Sequence, residues 1–251
     1  MRRAGTPSFA DSMMHRFFLR EPIANTVTLH GDDVKHIGRV LRLAPGDPII
    51  ICDGNGSECK AIIRSIGKDS VECECNTPVP CESEPSVSVT LYQGLPKTGK
   101  METIVQKCVE LGVYSVVPML TQYCVVQPKE SFSGRIERWQ RVAEEAAKQS
   151  RRGIIPQILP LVRLESASFL DYDLVLLAYE NERATTLKQT LTGFSGKRIA
   201  MLIGPEGGFS EEEVNRLTER GAKSVSLGKR ILRTETAGMA MLAQILYEVE
   251  K

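Results

Sequence analysis

Two glycine-bearing turns near the C-terminus combine residue types suited to holding a ligand through the main chain. The first reads Met201-Leu202-Ile203-Gly204-Pro205-Glu206-Gly207-Gly208-Phe209-Ser210. The second reads Val225-Ser226-Leu227-Gly228-Lys229-Arg230-Ile231-Leu232-Arg233-Thr234-Glu235-Thr236-Ala237. Each follows an apolar strand and opens a helix. A glycine at a strand end lets the backbone bend sharply and come close to a ligand, because no Cβ stands in the way. Two such turns together imply recognition by backbone N–H and C=O groups; one alone would carry little weight.

Other chemistries fail at particular atoms. Gly94-Leu95-Pro96-Lys97-Thr98-Gly99-Lys100-Met101 follows a strand, opens a helix and nearly spells G-x-x-x-x-G-K-[ST]. The last position of that phosphate loop must be a hydroxyl that ligates Mg²⁺. Met101 has none, and Pro96 removes one of the amides that would cradle phosphate. Lys97 and Lys100 read instead as contacts to an RNA backbone. No G-x-G-x-x-G follows a strand and no G-x-S-x-G elbow is present, so neither a nicotinamide site nor a serine-hydrolase site is supported. His15, His30 and His36 form no metal pattern. The seven cysteines contain no C-x-x-C pair. In Val71-Glu72-Cys73-Glu74-Cys75 they alternate with glutamates, as the inward positions of a half-buried strand do. No metal is expected.

The elements that must position these turns fall into two parts. Residues 14–83 read as short strands around Phe17-Phe18-Leu19, Thr26 to Leu29, Pro48 to Cys52, Cys59 to Ile63 and Ser70 to Cys75, with one helix at 32–42. Asp53-Gly54-Asn55-Gly56 is a hairpin signal between two of the strands. Many short strands with Gly and Pro turns predict a small barrel. Asn76 to Pro85 reads as a proline-rich polar linker. Strand–helix alternation follows: strands at Val87 to Gln93, Tyr114 to Met119, Leu174 to Tyr179, Arg198 to Ile203 and Ser224 to Leu227. Helices are expected from about Met101 to Gly112, at 134–150, after a capping box at Ser210 to Glu213, and from Thr234 to Val249. Such alternation predicts an open parallel sheet covered by helices, with ligands outside the carboxyl ends of the strands.

Length and charge set bounds. A chain of 251 residues can form one large domain or two modest ones. No apolar run reaches the roughly eighteen residues of a membrane span. The N-terminus has no apolar h-region, so no signal peptide is expected, residues 1–13 read as a disordered tail, and the cytoplasm is the expected compartment. The net charge of +1 rules out a global polycation. Local stripes remain: Lys35, Arg39 and Arg42 with His36 on one helix, and Arg138, Arg141, Lys148 and Arg152 along another. Two stripes in a balanced protein point to RNA or phosphate contact.

Gly204 to Gly208, followed by Leu227-Gly228-x-x-Ile231-Leu232-Arg233-x-Glu235-Thr236-Ala237, resembles the signature of the SPOUT methyltransferases. More narrowly the chain is similar to the RsmE family, which makes 3-methyluridine in bacterial 16S ribosomal RNA. His15-Arg16-Phe17-Phe18, His36 to Arg42, Lys100-Met101-Glu102, Glu110 to Val113, Arg138-Trp139 and Gln149-Ser150-x-Arg152 agree with it. The resemblance spans nearly all of residues 14–251. It implies an α/β fold: a PUA-like β-barrel over 14–83 that docks RNA, then a trefoil-knotted, parallel-sheet SPOUT domain over 84–251. It further implies S-adenosylmethionine as cofactor, the small ribosomal subunit as partner and a homodimer.

Carried over by position, the cofactor would touch Ala178, Tyr179 and Glu180; Ile203, Gly204, Pro205, Gly207 and Gly208; and Leu227, Gly228, Ile231, Leu232, Thr236 and Ala237. RNA contact is expected at Arg16, Lys35, His36, Arg39, Arg42, Lys97, Lys100 and Arg152. Two positions depart from the family: Tyr123 stands at an Arg position and Lys148 at a Glu position, neither expected to touch the cofactor turns. Uridine N3 is a poor nucleophile while protonated. The catalytic residues expected are Arg233, in an electrostatic role on base or phosphate, and Glu206 or Glu235 as proton acceptor. For Glu235 the alternative is a favourable charge in the first turn of the last helix. A SPOUT enzyme acting elsewhere on RNA and a non-catalytic RNA-binding protein remain as alternatives.

Overall fold

Alternating apolar and polar residues build the first part of the chain. In a computed structural model that describes residues 14–19, 21–97, 99–126 and 132–250, two units separate: Met1–Glu84 with Arg151–Ile155, and Pro85–Ser150 with Pro156–Lys251. The tail expected over residues 1–13 lies outside the described residues.

The first unit holds β1 (Arg16–Phe18), β2 (Thr26–His30), α1 (Asp32–Lys35), β3 (Pro48–Cys52), β4 (Ser57–Ile66), β5 (Ser70–Cys75) and β6 (Val79–Pro80). The strand order is β1-β3-β4-β5-β2, with β6 added to β4. The β3–β4 hairpin turns on Asp53, whose Oδ1 accepts from the amides of Asn55 and Ser57 at 2.8 and 2.9 Å. Gly54 and Gly56 supply the positive φ values of 76° and 103° that the turn needs. In β5, Val71, Cys73 and Cys75 point inward and Glu72 and Glu74 outward, as the alternation predicts. Burial pushes the Cys59 thiol up to about 12 and Cys73 to about 11, so both stay protonated and pack as small hydrophobes beside Ile51 and Ile63.

The helix expected at 32–42 is split. Four residues of α1 pass into a π-helical stretch, His36–Leu41, closed by Arg42 in the left-handed region with φ 55°. Gly38, a poor helix former, sits in the widened turn. Val34 and Ile37 are buried, while Lys35, His36, Arg39 and Arg42 are exposed.

Asn76 to Pro85 is not a free linker. Besides β6, it carries Glu84, whose Oε1 accepts from the amides of Gly153 and Ile154 at 2.7 and 3.0 Å, while Oε2 accepts from Arg152 Nη2 at 2.6 Å. The Arg152 side chain is only 3 % exposed. Arg152 therefore does not offer the RNA contact expected of it: its charge is spent on a buried carboxylate. Breaking a buried pair from one side strands the other charge and costs about 3–5 kcal/mol. Arg152→Met is expected to lower the stability of this unit by that amount, read as lost hydrogen-exchange protection in β3–β5. Unchanged protection would contradict the role. Arg16 is similarly engaged, with Nη1 on Glu58 and 3.2 Å from Cys52 Sγ, and is an interior anchor more than an RNA contact.

The second unit runs β7 (Ser88–Gly94), α2 (Lys100–Leu111), β8 (Ser115–Leu120), α3 (Ser133–Gln149), β9 (Gln157–Ile158), β10 (Val162–Arg163), β11 (Leu174–Ala178), α4 (Leu187–Leu191), β12 (Arg198–Ile203), α5 (Glu211–Glu219), β13 (Lys223–Val225) and α6 (Thr234–Val249). The sheet order is β10-β8-β7-β12-β11-β13, with β9 on β8. Every pair is parallel. β8 and β12 are buried along nearly their whole length, which is why they read as continuous apolar runs. Ser210 and Glu213 form the expected capping box at α5. The order β7-β12-β11-β13 brings four carboxyl ends side by side, and the chain turns after each of them make the site.

Candidate active site

A cavity of about 430 Å³ opens at these strand ends, within the size range of small-molecule sites. One wall is Ala178-Tyr179-Glu180 after β11. A second is Ile203 to Gly208 after β12. The third is Ser226 to Thr234 after β13, with Ala237 from α6. Of the residues expected at the cofactor, Thr236 does not line the cavity; it is exposed, and its amide turns back to the Arg233 carbonyl at 2.9 Å. The remaining expected cofactor residues do line it. So do Glu206 and Arg233, whereas Glu235 sits outside the lining.

Glycine is required where backbone meets backbone. A Cβ on Gly204 would lie 2.9 Å from Gly208 Cα and carbonyl carbon, and one on Gly94 would lie 2.6 Å from Pro205 N. Gly208 has a positive φ of 69°, and a Cβ there would fall 2.5 Å from Glu180 Oε1. The Glu180 carboxylate is thus packed onto the second wall. By contrast Gly228, with φ 119°, has open space beside its Cα.

A buried hydrogen-bond chain fixes the Gly204 turn. Thr234 Oγ1 donates to the Gly204 carbonyl at 2.6 Å and accepts from Gln93 Nε2 at 2.9 Å. Neither residue was expected. The available signal was polarity: Gln93 is a lone amide at the end of the apolar β7. Tyr123, expected to stay clear of the cofactor turns, touches one, since a Cβ on Gly207 would meet Tyr123 Cβ at 2.8 Å. The loop carrying it is tied down by the Gln122 amide, which donates to Glu213 Oε1 at 2.7 Å. Glu213 thereby caps α5 and anchors the Tyr123 loop together.

The near-phosphate loop holds a carboxylate of the chain itself. The Lys97 amide donates to Glu206 Oε1 and Oε2 at 3.1 and 3.3 Å. Lys100, first residue of α2, places Nζ 3.0 Å from Glu206 Oε1 and 3.1 Å from Glu235 Oε2. Lys100 is therefore a cavity residue and not a free RNA contact, while the Lys97 side chain is exposed. Glu206 first, then Glu235, holds the Lys100 ammonium above the usual lysine range. Partial burial opposes ionisation of Glu206, but its own amide, Lys100 and the Lys97 amide draw the carboxyl below the usual carboxylate range. Glu235 is drawn down by its own amide and then by Lys100 and Arg233. All three groups are charged at neutral pH.

Comparison with known proteins defines the class first. Residues 82–246 match the RNA methyltransferase domain family and residues 29–74 the RNA methyltransferase PUA domain family. A relative in Bacillus subtilis (strain 168), a ribosomal RNA small subunit methyltransferase E, is 34 % identical, covering 94 % of this chain and 98 % of the relative. A crystal structure of the protein of that name from Neisseria gonorrhoeae, bound to S-adenosyl methionine, is 33 % identical with a TM-score of 0.82, covering 92 % of this chain and 96 % of that one. A Legionella pneumophila putative methyltransferase with bound S-adenosylmethionine is 27 % identical with a TM-score of 0.78, over 92 % of this chain and 96 % of that one. The chain belongs to the ribosomal RNA small subunit methyltransferase E family. Its fold class is the expected one, a PUA-like β unit and a parallel α/β unit of the SPOUT kind.

Proposed function

We propose that this protein transfers a methyl group from S-adenosylmethionine to N3 of a uridine in 16S ribosomal RNA of the small subunit. The observation that carries this reading is the convergence of three strand-end turns on one cavity that is lined by backbone and also holds Glu206, Lys100 and Arg233.

The residues present fit the cofactor. Leu227, Ile231 and Leu232 offer apolar walls for a purine ring, and the Gly204 and Gly228 turns bring main-chain groups close to it. Glu180 offers a carboxylate to hydroxyl or ammonium groups. S-adenosylmethionine supplies a methyl carbon made electrophilic by its sulfonium. The uracil N3–H is flanked by two carbonyls, so removing its proton spreads negative charge over the ring. Arg233 is positioned to stabilise that charge. Glu206 would accept the N3 proton at a carboxylate oxygen as the N3–carbon bond forms and the carbon–sulfur bond of the sulfonium breaks, the sulfur leaving as a neutral thioether. Glu235 lies behind Lys100, outside the cavity lining, and does not compete for the proton.

RNA docking would use the exposed Lys35, His36, Arg39 and Arg42 of the first unit, together with Lys97 of the second. A homodimer would cover Ile231 and Tyr247, which are 82 % and 88 % exposed in the single chain. No helix among the described residues is long and apolar enough to cross a membrane. The cytoplasm is proposed as the compartment because the proposed substrate is the small ribosomal subunit. The test is calorimetry with S-adenosylmethionine and with Mg-ATP, followed by labelled methyl transfer to small subunits. Binding of the first ligand alone, with label entering 16S RNA, is expected. Mg-ATP binding, or cofactor binding without transfer to any RNA, would overturn the reading.

A further inference from the structure

We propose that Lys100 and Glu235 are positioning residues that act through Glu206. Glu235 holds the Lys100 ammonium, and Lys100 in turn holds Glu206 at the cavity wall. This deepens the proposed function and rests on it only for the identity of the reaction.

The geometry separates two glutamates that look alike in the sequence. Glu206 and Lys100 line the cavity; Glu235 does not. Glu235 Oε2 is buried and has no hydrogen-bond partner among the described residues, so the Lys100 ammonium 3.1 Å away is the charge that offsets it. A buried carboxylate oxygen left without an opposite charge is costly, which holds Lys100 in place. Lys100 then reaches Glu206 Oε1 at 3.0 Å, and the Lys97 amide fixes the same carboxylate from the loop side. A reacting group oriented by a second group, itself oriented by a third, is the general plan of activated catalytic sites.

Lys100 pairs with Glu206 directly, and Glu235 lies beyond Lys100, where it also feels the positive charge of Arg233. Removing Lys100 leaves two carboxylates facing one position without a cation. Like charges then push the midpoint of Glu206 upward.

The experiment introduces Lys100→Met, Lys100→Arg and Glu235→Gln, each alone and combined with Glu206→Gln. Cofactor affinity is followed by calorimetry and turnover on small subunits. The Glu206 carboxyl is titrated by carbon NMR in the ligand-free protein. Lys100→Met is expected to raise the Glu206 midpoint by about one pH unit and, because the carboxylate is no longer held in place, to cut kcat by about tenfold or more at neutral pH. Cofactor affinity should hold and Lys100→Arg should recover most of the loss. In the Glu206→Gln background none of the three substitutions should cost more than about twofold, because residues acting as a unit are non-additive. An unmoved Glu206 midpoint, or equal losses in both backgrounds, would overturn the proposal. A wild-type protein that methylates no uridine would defeat the proposed function while leaving the titration result to judge the clamp.

Discussion

Gly204→Ala should cut methyl transfer by weakening cofactor binding while the protein still folds. The added Cβ would lie 2.9 Å from Gly208 Cα and carbonyl carbon and 3.1 Å from its oxygen. All three atoms are backbone, so no flexible side chain can give way. The turn must open, and opening it moves the Gly204 carbonyl away from the Thr234 hydroxyl that holds it at 2.6 Å. A displacement on the order of 1 Å in such a site costs about 100-fold. Calorimetry should show cofactor affinity weakened and methyl transfer cut by about that factor, with hydrogen exchange in β7, β8 and β12 still near wild type. Affinity within a few-fold of wild type would mean that the turn is not part of the binding site.

Glu206→Gln should produce the opposite pattern. The amide keeps the shape of the carboxylate and can still accept from the Lys97 amide, so cofactor affinity should change little. It cannot take the N3 proton, and a lost general base costs about 10²–10⁴ in kcat. The pH profile supplies the sign. Glu206 acts only when ionised, and its carboxyl is held below the usual carboxylate range. Activity in the wild type should therefore persist through mildly acid pH and fall only as pH drops through that lowered value. In Lys100→Met the same limb should move to higher pH. Full turnover by Glu206→Gln would remove Glu206 from the chemistry, and Arg233→Ala is expected to lose kcat with it.

Much of the site was legible because its chemistry is written in local sequence. The Gly204–Gly208 and Leu227–Ala237 turns needed only the rule that backbone-level contact requires missing side chains, and they line the cavity save for Glu235 and Thr236. Periodicity likewise located Ser88–Gly94, Arg198–Ile203 and Thr234–Val249 as strands and helix within a residue or so. What the sequence hid was partnership across the fold. Lys97 and Lys100 look like solvent-facing cations until parallel pairing sets β7 beside β12 and brings Glu206 onto their loop. Arg152 looks like the last member of a basic helical stripe, but α3 ends at Gln149 and the chain carries Arg152 to Glu84 instead. Tyr123 meets Gly207 through a loop held by Glu213, a contact spanning residues far apart in sequence. The π-helical turn at His36–Leu41 has the same apolar spacing as an α-helix, so no pattern distinguishes it.

Mass mapping of the methylated RNA tests the central claim most directly. Small ribosomal subunits incubated with the protein and labelled S-adenosylmethionine would be digested and the labelled nucleoside identified. A single 3-methyluridine in 16S ribosomal RNA is expected, formed at least about 100-fold more slowly when Glu206→Gln replaces the wild-type protein. Label on ribose, on guanine or on large-subunit RNA would contradict the assignment of uridine N3.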